Sequence, residues 1–137
     1  MGKLEEFLLS GELEPAETLT DTVQIKRFPE PFTIRAITQA ENKALKKSAQ
    51  KTVINKRTHQ KEIETDTDAY VSKLVIACTV DPNFRSADLQ ARFGVMGAEA
   101  LVEKLLAPGE YGTLVDAIQT LNGFDEDIND KVDEAKN

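Results

Sequence analysis

Residues 21–37 read DTVQIKRFPEPFTIRAI, and the period of their apolar positions decides whether this chain is all-helical or mixed. Val23 and Ile25 alternate with Gln24 and Lys26. Beyond Pro-Glu-Pro, Phe32, Ile34 and Ala36 alternate with Thr33 and Arg35. Period two on both sides of the prolines predicts two short strands, with the prolines held to the turn or to edges, where a missing N–H costs no ladder bond. A β-hairpin is the expected outcome.

Outward from the hairpin the period changes. Thr38-Gln39-Ala40-Glu41 has capping-box form, a hydroxyl placed for the N3 amide and a carboxylate placed to reach back, and starts a helix through ENKALKKSAQ. KTVINKRTHQKEIET, residues 51–65, holds Thr52, Val53 and Ile54, which favour a strand; a strand or a loop is expected there. From 66 or 67 to 80 the pattern is helical, with Asp68 in the first turn and Pro82 just past the end. Its wide apolar stripe predicts a central, largely buried helix. Ser86 caps a short helix over 87–93, closed by Gly94, and further helices follow over 98–106 and 110–121. Leu101, Val102, Leu105 and Leu106 face Leu114, Val115, Ile118 and Leu121 at spacings of three and four, with Pro108-Gly109 expected to make the reversal between them.

The ends read differently. Residues 4–9 predict a short amphipathic helix, and 11–17 a linker with Pro15. The expected organisation is a flexible N-terminal arm over 1–20, one domain over 21–124 and an acidic tail over 125–137. The fold class expected is α+β, predominantly α-helical: a small N-terminal β-hairpin followed by a bundle of about five helices.

Composition bounds the function. The chain has 137 residues and a net charge of −7, which argues against a nucleic-acid binder as a whole. No apolar run approaches the roughly 20 residues that span a bilayer, and acids stand where a signal peptide would carry bases. A cytoplasmic protein without membrane contact is expected. Charge is unevenly spread: seven bases and no acid lie between 42 and 61, flanked by acidic ends.

Catalytic signatures are missing. His59, the single histidine, lies in a polar basic stretch, so no pair of histidines exists for acid–base work or zinc. Cys78 sits in the apolar run VSKLVIACTV and reads as a buried, inert thiol. DEDINDKVDEAK, from Asp125, opens like a calcium loop but has Asp130 at the turn position that needs glycine and Lys136 where the bidentate Glu belongs. The glycines of RFGVMGAEAL match no phosphate cradle. No catalytic residue, metal or cofactor is expected. The bases at 42–61 fit a solvated face, a complement to an acidic partner or a nucleic-acid contact; no aromatic residue among them can stack a base.

The order of local phrases adds a resemblance. FTIRAIT at 32–38 with an Asn/Lys-rich helix, Tyr70 through LVIACTVDPNF, and DLQARFGVMGAEALVEKLLAPGEYGTLVDAIQTLNGFDED together resemble the tail assembly chaperones of long-tailed phages and prophages of Gram-positive bacteria, the XkdN-like family. The match runs from about residue 20 to 127. Its most specific parts are Leu89-Gln90 through Gly94-Val95, Pro108-Gly109-Glu110-Tyr111 and Asn122-Gly123-Phe124. The resemblance implies a cytoplasmic protein of the bacterial host that binds the tape-measure protein, helps tail-tube protein polymerise around it, and is absent from the mature virion. It also implies that such genes often make a second, frameshift-extended product.

A protein of that kind needs exposed apolar ridges rather than catalytic groups. The candidate protein-binding residues are Leu101, Leu105, Leu114 and Ile118 in the final helical pair, and Leu4, Phe7 and Leu8 in the N-terminal arm, which also suit self-association. The same leucines of the helical pair fit a plain core, because apolar stripes generally face inward. Two other functions stay open on sequence: a nucleic-acid-binding regulator using 42–61, and a minor structural tail protein.

Overall fold

In the computed structural model, which describes residues 2–124, the alternating segments become antiparallel strands. β1 (Thr20–Val23) and β2 (Phe32–Arg35) pair with Val23 opposite Phe32 and Thr20 opposite Arg35. Val23, Ile25, Phe32, Ile34 and Ala36 are buried, while Gln24 and Lys26 face solvent, as a half-buried pleat requires.

α2 (Gln39–Ser48) starts with the expected capping box: the Glu41 amide donates to Thr38 Oγ1 at 3.1 Å, and the Thr38 amide donates to Glu41 Oε1 at 3.3 Å. Arg35 reaches the same carboxylate, Nη2 to Oε2 at 3.0 Å. That hydrogen-bonded pairing holds Glu41 below the usual carboxylate value and raises Arg35. The end of β2 and the start of α2 are thereby fixed to each other.

The description as one N-terminal hairpin followed by a bundle of about five helices is corrected here. The described residues form six helices and five strands in two small sheets, a mixed α+β fold. A second hairpin, β3 (Gln50–Ile54) with β4 (Lys61–Thr65), fills the segment between α2 and α3. Its β-branched residues on both strands, joined through a turn built on Asn55, explain the pairing. The helix expected to reach residue 80 ends at Cys78, and β5 (Thr79–Asp81) continues from it to pair with β2, giving the order β1-β2-β5. Consecutive β-branched residues, Thr79 and Val80, and a proline that disfavours helical backbone at Asp81 account for the switch.

The helices do not form a free-standing bundle. α3 (Thr67–Cys78), capped by Asp66, lies at the centre and packs on α2, α5 (Ala98–Leu105) and α6 (Pro108–Leu121), while α6 also rests on β1 and β2. α4 (Ala87–Arg92) is capped by Ser86, whose Oγ accepts from the Leu89 amide at 3.3 Å, and leans on α5. Pro108-Gly109 is also corrected. Proline is the first residue of α6, where its absent N–H costs nothing, and the reversal is made by Leu106 and Ala107 in extended conformation. α6 stops at Asn122-Gly123, where Gly123 adopts φ +79°.

Residues 2–22 contain no buried side chain. They include α1 (Lys3–Ser10) and a single 3₁₀ turn, Ala16–Thr18, and the segment meets the sheet where Leu19 C=O accepts from the Ala36 amide at 2.8 Å. The acidic tail and the calcium-loop reading at 125–137 lie outside the described residues.

Candidate functional site

The loop between β1 and β2 carries Phe28-Pro29-Glu30-Pro31, and its conformation builds one wall of an apolar groove. Phe28 N–H donates to Ile25 C=O at 2.9 Å, and Gln24 Nε2 donates to Phe28 C=O at 3.0 Å, closing the turn before the prolines fix the rest. The Phe28 and Phe32 rings meet edge to face, centroids 4.9 Å apart at 80°, a favoured aromatic geometry.

The rest of the lining comes from Leu89 and Phe93 of the α4 segment, Leu101 and Leu105 of α5, Phe32 of β2 and Pro82, with Phe32 and Leu101 the most deeply buried of them. The groove has a volume of about 250 Å³, and Glu30 and Asp81 are the charged side chains lining it. Leu101 and Phe32 are buried, Phe28, Leu89 and Leu105 are half-buried, and Phe93 is 37% exposed at the rim. Arg27 lies over the Phe28 ring at 4.7 Å and Arg92 over the Phe93 ring at 5.9 Å, so each outer aromatic is backed by a guanidinium.

Two polar anchors set the walls. Arg27 donates from Nε to Glu110 Oε2 at 2.9 Å and from Nη2 to both Glu110 Oε1 and Leu105 C=O at 2.6 Å, tying the Phe28 loop to the α5–α6 junction. Glu110 Oε1 also accepts from the Ala107 amide at 2.8 Å. The bidentate bonds from Arg27, then the amide, pull the Glu110 carboxyl down to about 2. On the other wall, Gln90 Nε2 donates to Phe84 C=O at 3.0 Å and Gln90 Oε1 accepts from the Gly97 amide at 3.0 Å. One amide side chain thus fixes both ends of the α4 segment. Gly97 stands at φ +96°, a backbone that side chains rarely adopt.

The candidate residues are distributed as follows. Leu101 and Leu105 line the groove; Leu114 and Ile118 are fully buried beneath it in the core. Leu4, Phe7 and Leu8 are exposed on α1. Sequence reasoning missed Phe28, Leu89, Phe93 and Pro82 as a group. The available signal was RFPEPF, two aromatics around paired prolines, but of these two rings periodicity marks only Phe32, as one of the alternating strand positions.

Other chemistry-bearing residues sit apart. Cys78 is buried, donated to by Asn122 Nδ2 at 3.8 Å, and burial pushes its thiol up to about 11. His59 is exposed at the tip of the β3–β4 hairpin. Among the described residues no three His, Cys, Asp or Glu side chains cluster as metal ligands do, and no helix is long and apolar enough to cross a membrane.

The sequence model of the phage XkdN-like tail assembly chaperone family matches residues 4–136. The chain belongs to the XkdN-like tail assembly chaperone family. Two relatives of this chaperone come from Bacillus subtilis strain 168. XkdN of the phage-like element PBSX is 27% identical over 96% of this chain and 92% of its own length, and the uncharacterized protein YqbN is 27% identical over 96% and 91%. The crystal structure of YqbN shares the fold, with a TM-score of 0.67 over 85% of this chain and 93% of that one at 22% identity. The strings that are most specific in the resemblance have structural reasons: Gln90 bridges Phe84 to Gly97, Glu110 clamps Arg27, and Asn122 caps α6.

Proposed function

We propose that this tail assembly chaperone holds an apolar helical segment of the tape-measure protein in the groove between Phe28 and Phe93. The observation that carries the reading is the groove itself: an apolar floor, aromatic walls and only two acids at its edge, the surface suited to a helix with anchors at spacings of three and four. Long helical clients that aggregate through apolar stripes are kept soluble when such stripes are covered.

On this reading the protein is non-enzymatic, needs no cofactor, and acts in the cytoplasm of the bacterial host. It holds the tape-measure protein while tail-tube protein polymerises around it, and it leaves before the virion is complete. The test is co-expression with the tape-measure protein followed by affinity purification. Retention of a soluble complex by the native chain, and its loss on Phe93→Asp, is the expected result. Equal solubility of the tape-measure protein with and without the chaperone would remove the proposal. Mass spectrometry of finished particles tests the departure step, since a retained copy would make the chain a minor structural protein instead.

A further inference from the structure

Of the eleven large apolar side chains that stand exposed in the described residues, eight lie in two elements away from the groove: Leu4, Phe7, Leu8, Leu9, Leu13 and Leu19 in the N-terminal arm, and Ile54 and Ile63 in the β3–β4 hairpin. Neither element has the means to stand alone. α1 has eight residues and no buried side chain, where an isolated helix needs about 12–15 residues to be even marginal in water. The hairpin is a separate two-stranded sheet, exposed along both strands except for half-buried Val53, and isolated hairpins of this size are marginal.

The hairpin's two faces differ in charge. Register places Thr52 opposite Ile63 and Ile54 opposite Lys61, so both isoleucines share one face with Lys61, while Glu62 and Glu64 fall on the other. Lys56 and Arg57 follow in the turn and are both exposed. Its geometry is set by Asn55, whose Oδ1 accepts from the Arg57 amide at 2.8 Å and whose Nδ2 donates to Glu62 at 2.8 Å. Among the described residues Lys51 is the one base of the seven in 42–61 that forms an ion pair, with Glu64 at 3.7 Å. The arm has the opposite sign: Glu5, Glu6, Glu12, Glu14 and Glu17 against Lys3. Leu4, Phe7 and Leu8 form a stripe at spacings of three and four, flanked by Glu5.

We propose that α1 of one copy docks its Leu4–Phe7–Leu8 stripe on the Ile54–Ile63 face of the β3–β4 hairpin of a second copy, with the arm's glutamates against Lys56, Arg57 and Lys61. A second copy is the occupant that complementarity selects, because every chain presents one acidic apolar helix and one basic apolar hairpin and leaves both uncovered. A reciprocal exchange between two chains covers all four elements at once. The acidic arm and basic middle of the sequence are then two halves of one interface.

The test uses the full chain and two charge-reversed variants: one with Glu5→Lys and Glu6→Lys, the other with Lys56→Glu, Arg57→Glu and Lys61→Glu. All five side chains are exposed, so the fold, checked by circular dichroism, is retained. Sedimentation velocity of the native chain is expected to show assembly in 0.1 M salt and dissociation in 1 M salt, as the Debye length shrinks from about 10 to about 3 Å. Each variant alone faces like charge with like and is expected to associate at least about tenfold more weakly. Mixing the two restores assembly, because the lysine arm of one meets the glutamate hairpin of the other. A native chain that stays monomeric at low salt, variants that associate as the native chain does, or a mixture that fails to assemble would overturn the proposal. Protection of the hairpin from proteolysis only when tape-measure protein is added would overturn it in favour of the client as occupant.

Discussion

Arg27 and Glu110, 83 residues apart in the chain, are joined by two hydrogen bonds, Nε to Oε2 at 2.9 Å and Nη2 to Oε1 at 2.6 Å. The pair connects the loop after β1 to the first turn of α6, and Arg27 spends a further donor on the Leu105 carbonyl. It therefore ties the chain on the Phe28 side of the groove to the backbone at Leu105.

This clamp gives acid stability a definite window. The Glu110 carboxyl titrates at about 2 in the folded chain against an ordinary 4.5. A depressed carboxylate contributes stability that is present above the unfolded value and lost as pH falls through the folded one. Urea midpoints are expected to decline between pH 4.5 and 2, and Glu110→Gln is expected to lower the midpoint at neutral pH and flatten that decline. An identical pH profile for the variant would show that the clamp does not contribute.

Core and groove should separate experimentally. Leu114 and Ile118 are fully buried, so Leu114→Ala or Ile118→Ala is expected to cost about 2–5 kcal/mol in chemical denaturation. Phe93 stands at the rim, 37% exposed, and Phe93→Asp is expected to cost about 1–2 kcal/mol, less than either core truncation because only part of the ring is buried, while abolishing tape-measure capture. Equal losses at all three positions would mean that the groove is only a dimple in the core.

Asn122 joins three segments. Its Oδ1 accepts from the Ile37 amide at 2.9 Å, and its Nδ2 donates to Ile118 C=O at 2.9 Å and toward Cys78. Asn122→Ala strands the Ile37 amide, which is expected to cost about 1–3 kcal/mol. Hydrogen exchange at that amide should accelerate with it, a local readout that a general loss of packing does not single out.

Cys78 should be silent in the folded protein. Its thiol is buried and pushed up to about 11 from an ordinary 9.0, so a thiol reagent at neutral pH is expected to modify it only after denaturant is added. Because a raised thiol favours the protonated form, the stability it contributes is complete below 9 and lost as pH rises toward 11. Rapid labelling under native conditions would contradict the burial of α3.

Much of this fold was legible. Period two around Pro-Glu-Pro gave the first hairpin, and the Thr38, Ser86 and Gly94 signals placed helix ends, because those features are local and backbone chemistry decides them. The second hairpin and β5 were less legible for a physical reason. Thr79 pairs with Ile34, some 45 residues away in sequence, and β3–β4 buries almost nothing, so no apolar alternation marks it. The groove was the least legible. Leu101 and Leu105 could be named from helical spacing, but Phe28 and Phe93 lie in a loop and at a helix end, where no period operates. They become a site only when Arg27 and Gln90 fix their walls.

The proposed capture of the tape-measure protein in the Phe28–Phe93 groove has a direct measurement. It is tested most directly by co-expressing that protein with the native chain or with Phe93→Asp, and measuring how much stays soluble and co-purifies. A soluble, stable complex with the native chain and an insoluble client with the folded variant are expected. A complex recovered equally with both would contradict it.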